Sequence, residues 1–323
     1  MTTAIIAIHG GAGALSRETI TPQQEAAYQA ALNDILVQGS ALLAQGGSAL
    51  DAVTLAVRLL EDCPLFNAGY GSVFTSAETH EMDAAIMDGA TLACGSVASI
   101  ATVRNPVLAA RAVMEKSEHV FFCGKPAEAL AAAAGLEMVA PDYFSTPERR
   151  AQLDRVRADG AASFVLDHDA ARHASKEDAA PLDEDKKLGT VGAVALDQSG
   201  NLAAATSTGG MTNKQPGRIG DSPIIGAGCY ASNRSCAVSC TGTGEMFIRS
   251  VAAYDVAAQM QYAGASLTQA ADQVVFDTLP AIGGVGGLIA IDAAGNVVLP
   301  FNSEGMYRGY ARVGEAPVTG IYR

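Results

Sequence analysis

Tryptophan is absent from this 323-residue chain, and histidine occurs only five times, with no cluster of histidine and cysteine. A transition-metal centre built on imidazole and thiolate is therefore not expected. The six cysteines, Cys63, Cys94, Cys123, Cys229, Cys236 and Cys240, include no CxxC pair. They read as buried free thiols rather than a disulfide framework. No run approaches the roughly 18 apolar residues that a membrane-spanning helix needs. The start, MTTAIIAIHGG, has no basic segment before its short apolar run, so no secretion signal is expected and the cytoplasm is the expected compartment.

Bases are also scarce. There are 21 against 34 acids, a formal charge of -13, which argues against wrapping nucleic acid or lying on an anionic membrane. Charged residues make up only 17% and apolar ones 49%, which excludes disorder for most of the chain and suffices for a packed core. The acidity is uneven: residues 190–323 hold 9 acids and 7 bases, and residues 1–189 hold 25 and 14.

Local patterns predict a strand over Ala4–His9 entering a tight glycine turn. A helix follows from Thr21-Pro22, with Gln24 completing a capping box, to about Leu43. Ser48 and Asp51 open a second helix through Leu60. Strands are expected at Ser72–Phe74, Met82–Met87, Ser96–Val103 and His119–Cys123, and helices from Pro106 to about Glu115, Pro126–Ala134 and Pro147–Asp159. From Gly160 to Lys187 apolar anchors are few, with seven acids and four Lys or Arg residues, so residues 160–189 read as an exposed, mobile linker. Beyond it, Thr190–Leu196 and Leu202–Thr208 form a strand pair around the turn Asp197–Gly200. Further strands fit Ala237–Cys240, Leu288–Ile291 and Val297–Pro300, and helices fit Glu245–Met260 and Leu267–Leu279. Runs of strands with segregated helices imply sheets covered by helices.

Familiar motifs are missing. GAGALS has Ser16 where a dinucleotide loop needs its third glycine, and Asp34 falls inside a predicted helix. HEMDA, from His80, lacks the second histidine of a zinc protease. There is no GxSxG elbow, SxxK or GxxxxGK[ST].

What is present is a threonine at an unusual place. Gly189-Thr190 lies where the linker ends and the strand GTVGAVAL begins. A threonine hydroxyl needs a base beside it. Cleavage of the Gly189–Thr190 bond would supply one, an α-amino group of reference pKa about 8 on the same residue. A plain strand start remains the alternative. SCTGTGE leaves a strand for a helix through Gly242 and Gly244, whose N–H groups could face a ligand oxygen. PGRIGDSP sets Arg218 and Asp221 three apart, matching the carboxylate and ammonium of an amino-acid head group or, equally, a local ion pair in a surface turn.

HGGAG (His9–Gly13), NAGYGSV (Asn67–Val73), GTVGAVALD, TSTGGMTNK (Thr206–Lys214), PGRIGDSP and CTGTGE occur in this order over nearly the whole chain. The sequence thereby resembles the plant-type L-asparaginase/isoaspartyl peptidase family of N-terminal nucleophile hydrolases, above all its bacterial isoaspartyl peptidases. The resemblance implies an α+β fold, a four-layer αββα sandwich, from a single-unit precursor, residues 1–323. The precursor would cut itself at Gly189–Thr190 into an α subunit, 1–189, and a β subunit, 190–323, paired as an (αβ)2 dimer. The implied substrates are β-aspartyl dipeptides and asparagine. Thr190 would be the nucleophile, Thr208 its hydrogen-bond partner, and the Thr241 hydroxyl and Gly242 N–H the oxyanion hole. Arg218 and Asp221 would hold the substrate's α-carboxylate and α-ammonium, Gly244 would add a backbone contact, and Asn67 would sit beside the nucleophile. No cofactor is implied for catalysis. LEDCPLFNAGYG resembles the family's sodium loop, implying a structural Na+ on the main-chain carbonyls of Leu60, Glu61, Cys63, Phe66, Ala68 and Tyr70. A glycosylasparaginase is the related alternative. A non-catalytic metabolite-binding protein organised on the N-terminal glycine turn is the alternative from another class.

Overall fold

The computed structural model describes residues 3–13, 20–158 and 189–323. The expected linker, apart from Gly189, lies outside the described residues.

The chain is a mixed α/β protein with two sheets. Strand β1 (Ile5–Gly13) precedes helices α1 (Pro22–Ala44) and α2 (Ala49–Glu61), then come β2 (Met82–Asp88), β3 (Cys94–Ile100), α3 (Pro106–Lys116), β4 (Phe121–Cys123), α4 (Gly124–Ala133) and α5 (Pro147–Ala158). The second part holds β5 (Val191–Leu196), β6 (Leu202–Thr208), β7 (Cys229–Ala231), β8 (Cys236–Gly242), α6 (Gly244–Ser250), α7 (Ala252–Ala263), α8 (Leu267–Asp272) and α9 (Leu279–Ala281). It closes with β9 (Gly286–Asp292), β10 (Val297–Val298), β11 (Gly305–Arg312) and β12 (Val318–Tyr322). Eight strands form one sheet in the order β12-β11-β1-β5-β6-β2-β3-β4, and four form the other, β10-β9-β8-β7.

Strand parity sorts the apolar residues of the large sheet into two cores. On one face Ile6, Ile8, Val191, Ala193, Ala203 and Ala205 pack against α1–α4. On the other, Ile5, Ala7, Val194, Leu196, Leu202 and Ala204 meet Ala237, Ile289 and Ile291 of the small sheet. The outer face of the small sheet, through Val238, Cys240 and Leu288, is covered by α6–α9. Strands β5 and β6 are buried on both faces, which explains their near-continuous small apolar sequence.

The caps form as the sequence predicts. Thr21 and Gln24 make a reciprocal capping box at α1, and Ser48 Oγ accepts from Asp51 N at 3.1 Å at α2. Several expectations change. The glycines after His9 do not end β1, because a bulge between His9 and Gly11 absorbs Gly10 and the strand continues to Gly13 on β11. A side chain at Gly10 would run into the Phe66 ring. Ser72–Phe74 is loop rather than strand, with Val73 N held by Asn67 Oδ1. The helix expected over Glu245–Met260 is broken at Val251, which adopts a left-handed conformation with φ 51°. Residues Gln273–Thr278 form a π-helical stretch between α8 and α9. Strands β7, β11 and β12 were not legible locally. All six cysteines are free, but only Cys229, Cys236 and Cys240 are buried, while Cys123 is exposed. Among the described residues no helix is long and apolar enough to cross a membrane.

Ser48→Ala should cost about 1 kcal/mol by removing the α2 cap, read as a lower denaturation midpoint with unchanged slope.

Candidate active site

Register and pleat assemble the site. Val191 of β5 pairs with Ser207 of β6, so Thr190 and Thr208 meet at the same end of the hairpin. Both belong to the parity that faces the small sheet, and both are buried. Thr190 Oγ1 donates to Thr208 Oγ1 at 3.3 Å. Thr208 Oγ1 in turn donates to the Gly189 carbonyl at 2.9 Å and accepts from Gly210 N at 2.9 Å. Asn67 Nδ2 donates to the same Gly189 oxygen at 2.8 Å and to Gly210 O at 2.6 Å, while its Oδ1 accepts from Val73 N at 3.0 Å. Two donors therefore converge on the carbonyl next to the Thr190 hydroxyl. Gly189 is required sterically, since a Cβ there would lie 2.6 Å from Asn67 Cβ.

His9 fixes the other side of Thr190. Its Nδ1 lies 2.9 Å from the Thr190 carbonyl, which can only accept, so Nδ1 carries the proton. The ring is fully buried, and burial pulls its pKa down to about 3 against the opposing effect of that hydrogen bond. Neutral Nε2 must then accept from Ser239 Oγ at 2.9 Å. Thr206 Oγ1, 2.7 Å from Ser239 Oγ and 3.1 Å from Gly228 O, closes the chain. Gly192 makes room for it, because a Cβ would strike both Ser239 Oγ and His9 Nε2.

Arg218 and Asp221 line a cavity together with Thr190, Thr208, Gly242 and Gly244. They do not pair with each other as a surface turn would have them. Arg218 instead forks onto Glu245, Nε and Nη2 each 2.8 Å from a carboxylate oxygen. Asp221 is buried with Oδ2 unpartnered, and burial raises its pKa to about 7 although Arg218 pulls it down. A Cβ on Gly244 would sit 2.9 Å from Asp221 Oδ1 and 3.1 Å from Arg218 Nη2, so the absence of a side chain keeps this end open. Thr241 is fully buried on β8, its Oγ1 accepting from Ala12 N at 3.2 Å.

Glu245, Lys214, Ser239 and Thr206 were not singled out by residue reasoning, though each lies in or beside a quoted motif. Lys214 is fully buried and donates from Nζ to Glu81 O at 2.7 Å. Gly210, at φ 83°, leaves the space that its amine fills. For Thr206 and Ser239 the available signal was a small hydroxyl residue inside an otherwise apolar strand; Lys214, in the loop after β6, and Glu245, in α6, gave none.

In the loop after α2, main-chain carbonyls crowd the glycines. A Cβ on Gly71 would come 2.6 Å from Phe66 O and 2.7 Å from Pro64 O, and one on Gly69 would come 2.5 Å from Glu61 O. Glu61 O also accepts from Tyr70 N at 2.7 Å, and Cys63 O from Phe66 N at 3.3 Å. Each carbonyl keeps a second lone pair. Main-chain oxygens are the donor type that a hard monovalent cation takes.

The sequence profile of the Asparaginase family matches residues 2–321. The chain is 61% identical over 323 residues to the isoaspartyl peptidase of Escherichia coli strain K12, covering 100% of this chain and 97% of that protein. It is 60% identical to the isoaspartyl peptidase of Salmonella typhimurium strain LT2, covering 100% of both. A probable isoaspartyl peptidase/L-asparaginase 2 of Arabidopsis thaliana is 44% identical, with 95% of each chain covered. This chain belongs to the asparaginase family.

Two outcomes test the electrostatics. Asp221 holds its proton in the folded state up to about 7 against an ordinary 3.8, so the stability present at low pH is lost as pH rises between those values. Asp221→Asn should raise the denaturation midpoint at about pH 8 and leave it unchanged below about pH 4. His9→Leu and Ser239→Ala should each cost about 1–3 kcal/mol by orphaning a buried partner. The double variant should lose less than the sum, and strict additivity would show that the two side chains are not coupled.

Proposed function

We propose that the chain is a precursor that cuts itself at Gly189–Thr190 and then hydrolyses β-aspartyl dipeptides and the side-chain amide of L-asparagine. The observation that supports this most is the Thr190 hydroxyl beside a Gly189 carbonyl already held by Thr208 Oγ1 and Asn67 Nδ2. On this reading the two layers of helices and two sheets are an αββα sandwich of the N-terminal nucleophile type. The subunits are α, residues 1–189, and β, residues 190–323, assembled as (αβ)2.

In self-cleavage, Thr190 Oγ1 attacks the Gly189 carbon and its proton leaves by way of Thr208. The oxygen gathers charge opposite two fixed donors. The C–N bond breaks, the Thr190 nitrogen takes a proton, and water hydrolyses the ester to a Gly189 carboxylate and a free α-amine. That amine is then the base for the hydroxyl in substrate turnover. Arg218 offers Nη1, which no described residue engages, to the substrate α-carboxylate while Glu245 holds its other edge. An α-ammonium against Asp221 restores ionisation that burial disfavours, and Gly244 gives a backbone contact. Attack on the β-carbonyl places its oxygen at the Thr241 hydroxyl and the Gly242 N–H, where losing one donor costs roughly 3–4 kcal/mol of barrier. Ammonia or an amino acid leaves, and water releases aspartate. A sodium ion on the carbonyls of Leu60, Glu61, Cys63, Phe66, Ala68 and Tyr70 would supply no reaction chemistry. It would stiffen the loop that carries Asn67.

A denaturing gel of active protein should show two bands of roughly 19 and 14 kDa, apportioned by length from 32.9 kDa. Thr190→Ala should give one full-length band and no release of amino acid from β-aspartyl peptides. Turnover by that variant, or an active single-band wild type, would sink the mechanism.

A further inference from the structure

A second cavity lies across Gly189 from the one holding Arg218 and Asp221. Gly189 lines both, and Asn67, whose Nδ2 holds the Gly189 oxygen, lines the second. The remaining wall includes the glycines of β1, Leu65, the rings of Tyr28 and Tyr307, and Arg149 of α5. On the proposed function, the aspartyl head group fills the first cavity and its β-carbonyl lies at Thr190. The group on the other side of the broken bond is then directed to the second.

The chemistry of that cavity suits one kind of leaving group. Arg149 donates from Nε to Gly71 O at 2.6 Å and from Nη1 to Gln152 Oε1 at 3.0 Å, both neutral acceptors. Its helix neighbours Arg150 and Arg157 each pair with Glu78, whereas Arg149 meets no carboxylate among the described residues. Burial lowers its pKa, against smaller opposing pulls from Tyr28, Glu148 and Tyr307, so no carboxylate compensates it fully. The Tyr307 hydroxyl is also buried, with Tyr28 beside it and no other hydrogen-bond partner among the described residues. The stacked rings of Tyr28 and Tyr307, 4.1 Å between centroids, and Leu65 offer an apolar wall beside these two donors. A cation, a buried hydroxyl and an apolar wall together match a free amino acid with an apolar side chain.

We propose that this cavity is the leaving-group subsite, and that Arg149 receives the free α-carboxylate of the residue released from a β-aspartyl dipeptide. The inference rests on the hydrolase reading above and extends it from the head group to the second residue. Asparagine, which releases ammonia, cannot use the subsite, so the same geometry favours dipeptides over asparagine. The carboxylate takes no part in bond breaking; it orients the departing nitrogen by anchoring the residue behind it.

The test compares β-Asp-Leu with β-Asp-leucinamide, which differs only in lacking the carboxylate. Mature wild-type enzyme should prefer the free acid by at least about tenfold in kcat/KM, mainly through KM. Arg149→Gln should reduce that preference to within about threefold, Arg149→Lys should keep part of it, and Tyr307→Phe should lower it modestly. Equal use of the two substrates by wild type would overturn the subsite while leaving the hydrolase reading intact. An unchanged preference in Arg149→Gln would also overturn it, because the arginine would then serve only to anchor Gly71. A slowed appearance of the two gel bands with unchanged preference would mean that the carboxylate served is the one created at Gly189, again overturning the proposal. If Arg149→Gln does not fold, the wild-type comparison and Tyr307→Phe decide. No turnover of any β-aspartyl substrate would instead refute the hydrolase reading itself.

Discussion

The site depends on the register of one hairpin. Because Val191 faces Ser207, Thr190 and Thr208 share an end and a face of the large sheet. The pleat then sets what surrounds them. His9, Thr206, Ser239 and Thr241 sit where strands β1, β6 and β8 present their inter-sheet residues. The apolar layer that joins the sheets therefore ends in a layer of hydroxyls and one imidazole. A slip of one residue in β5 would turn Thr190 toward α2 and replace it with Val191.

Such a layer is expensive to bury, and the hydrogen-bond pattern shows how the cost is met. The hydroxyls of Thr190, Thr206 and Thr208 and the ring of His9 each have a partner, and glycines at 189, 192 and 210 yield the space these contacts need. The exceptions are informative. Asp221 keeps an unpartnered carboxylate oxygen and a raised pKa, and Arg149 lacks a carboxylate partner among the described residues. Both lie on cavities that flank Thr190 and Gly189. Groups left poorly compensated at a cleft are where a ligand can contribute the missing partner.

Global charge says nothing of this. The excess of acids falls mostly in residues 1–189, yet the groups facing the two cavities include two arginines, one engaged by Glu245 and one hydrogen-bonded only to neutral groups among the described residues. The overall sign bears on solubility and on polyanions, whereas local placement decides which small charged molecule fits.

Much of the fold was readable from local rules. The capping box at Thr21, the Ser48 cap and the paired strands around Asp197–Gly200 follow from side-chain chemistry within a few residues. Strands β7, β11 and β12 were not, because their pairing partners are distant and their own patterns are short or mixed. At Gly10 the Phe66 ring, 56 positions further on, leaves no room for a side chain. Around the cavity, motif strings singled out Thr190, Arg218, Asp221 and Gly244, which the structure brings together. They did not indicate that Arg218 would fork onto Glu245 or that His9 would grip the Thr190 carbonyl. The sequence by itself determined strand parity, the caps and the residue types gathered near Thr190, since these follow from covalent spacing. Only the tertiary structure decided which face met the second sheet, which charges were left incompletely compensated and that Arg149 would look onto Gly189, because those depend on packing between segments far apart in the chain.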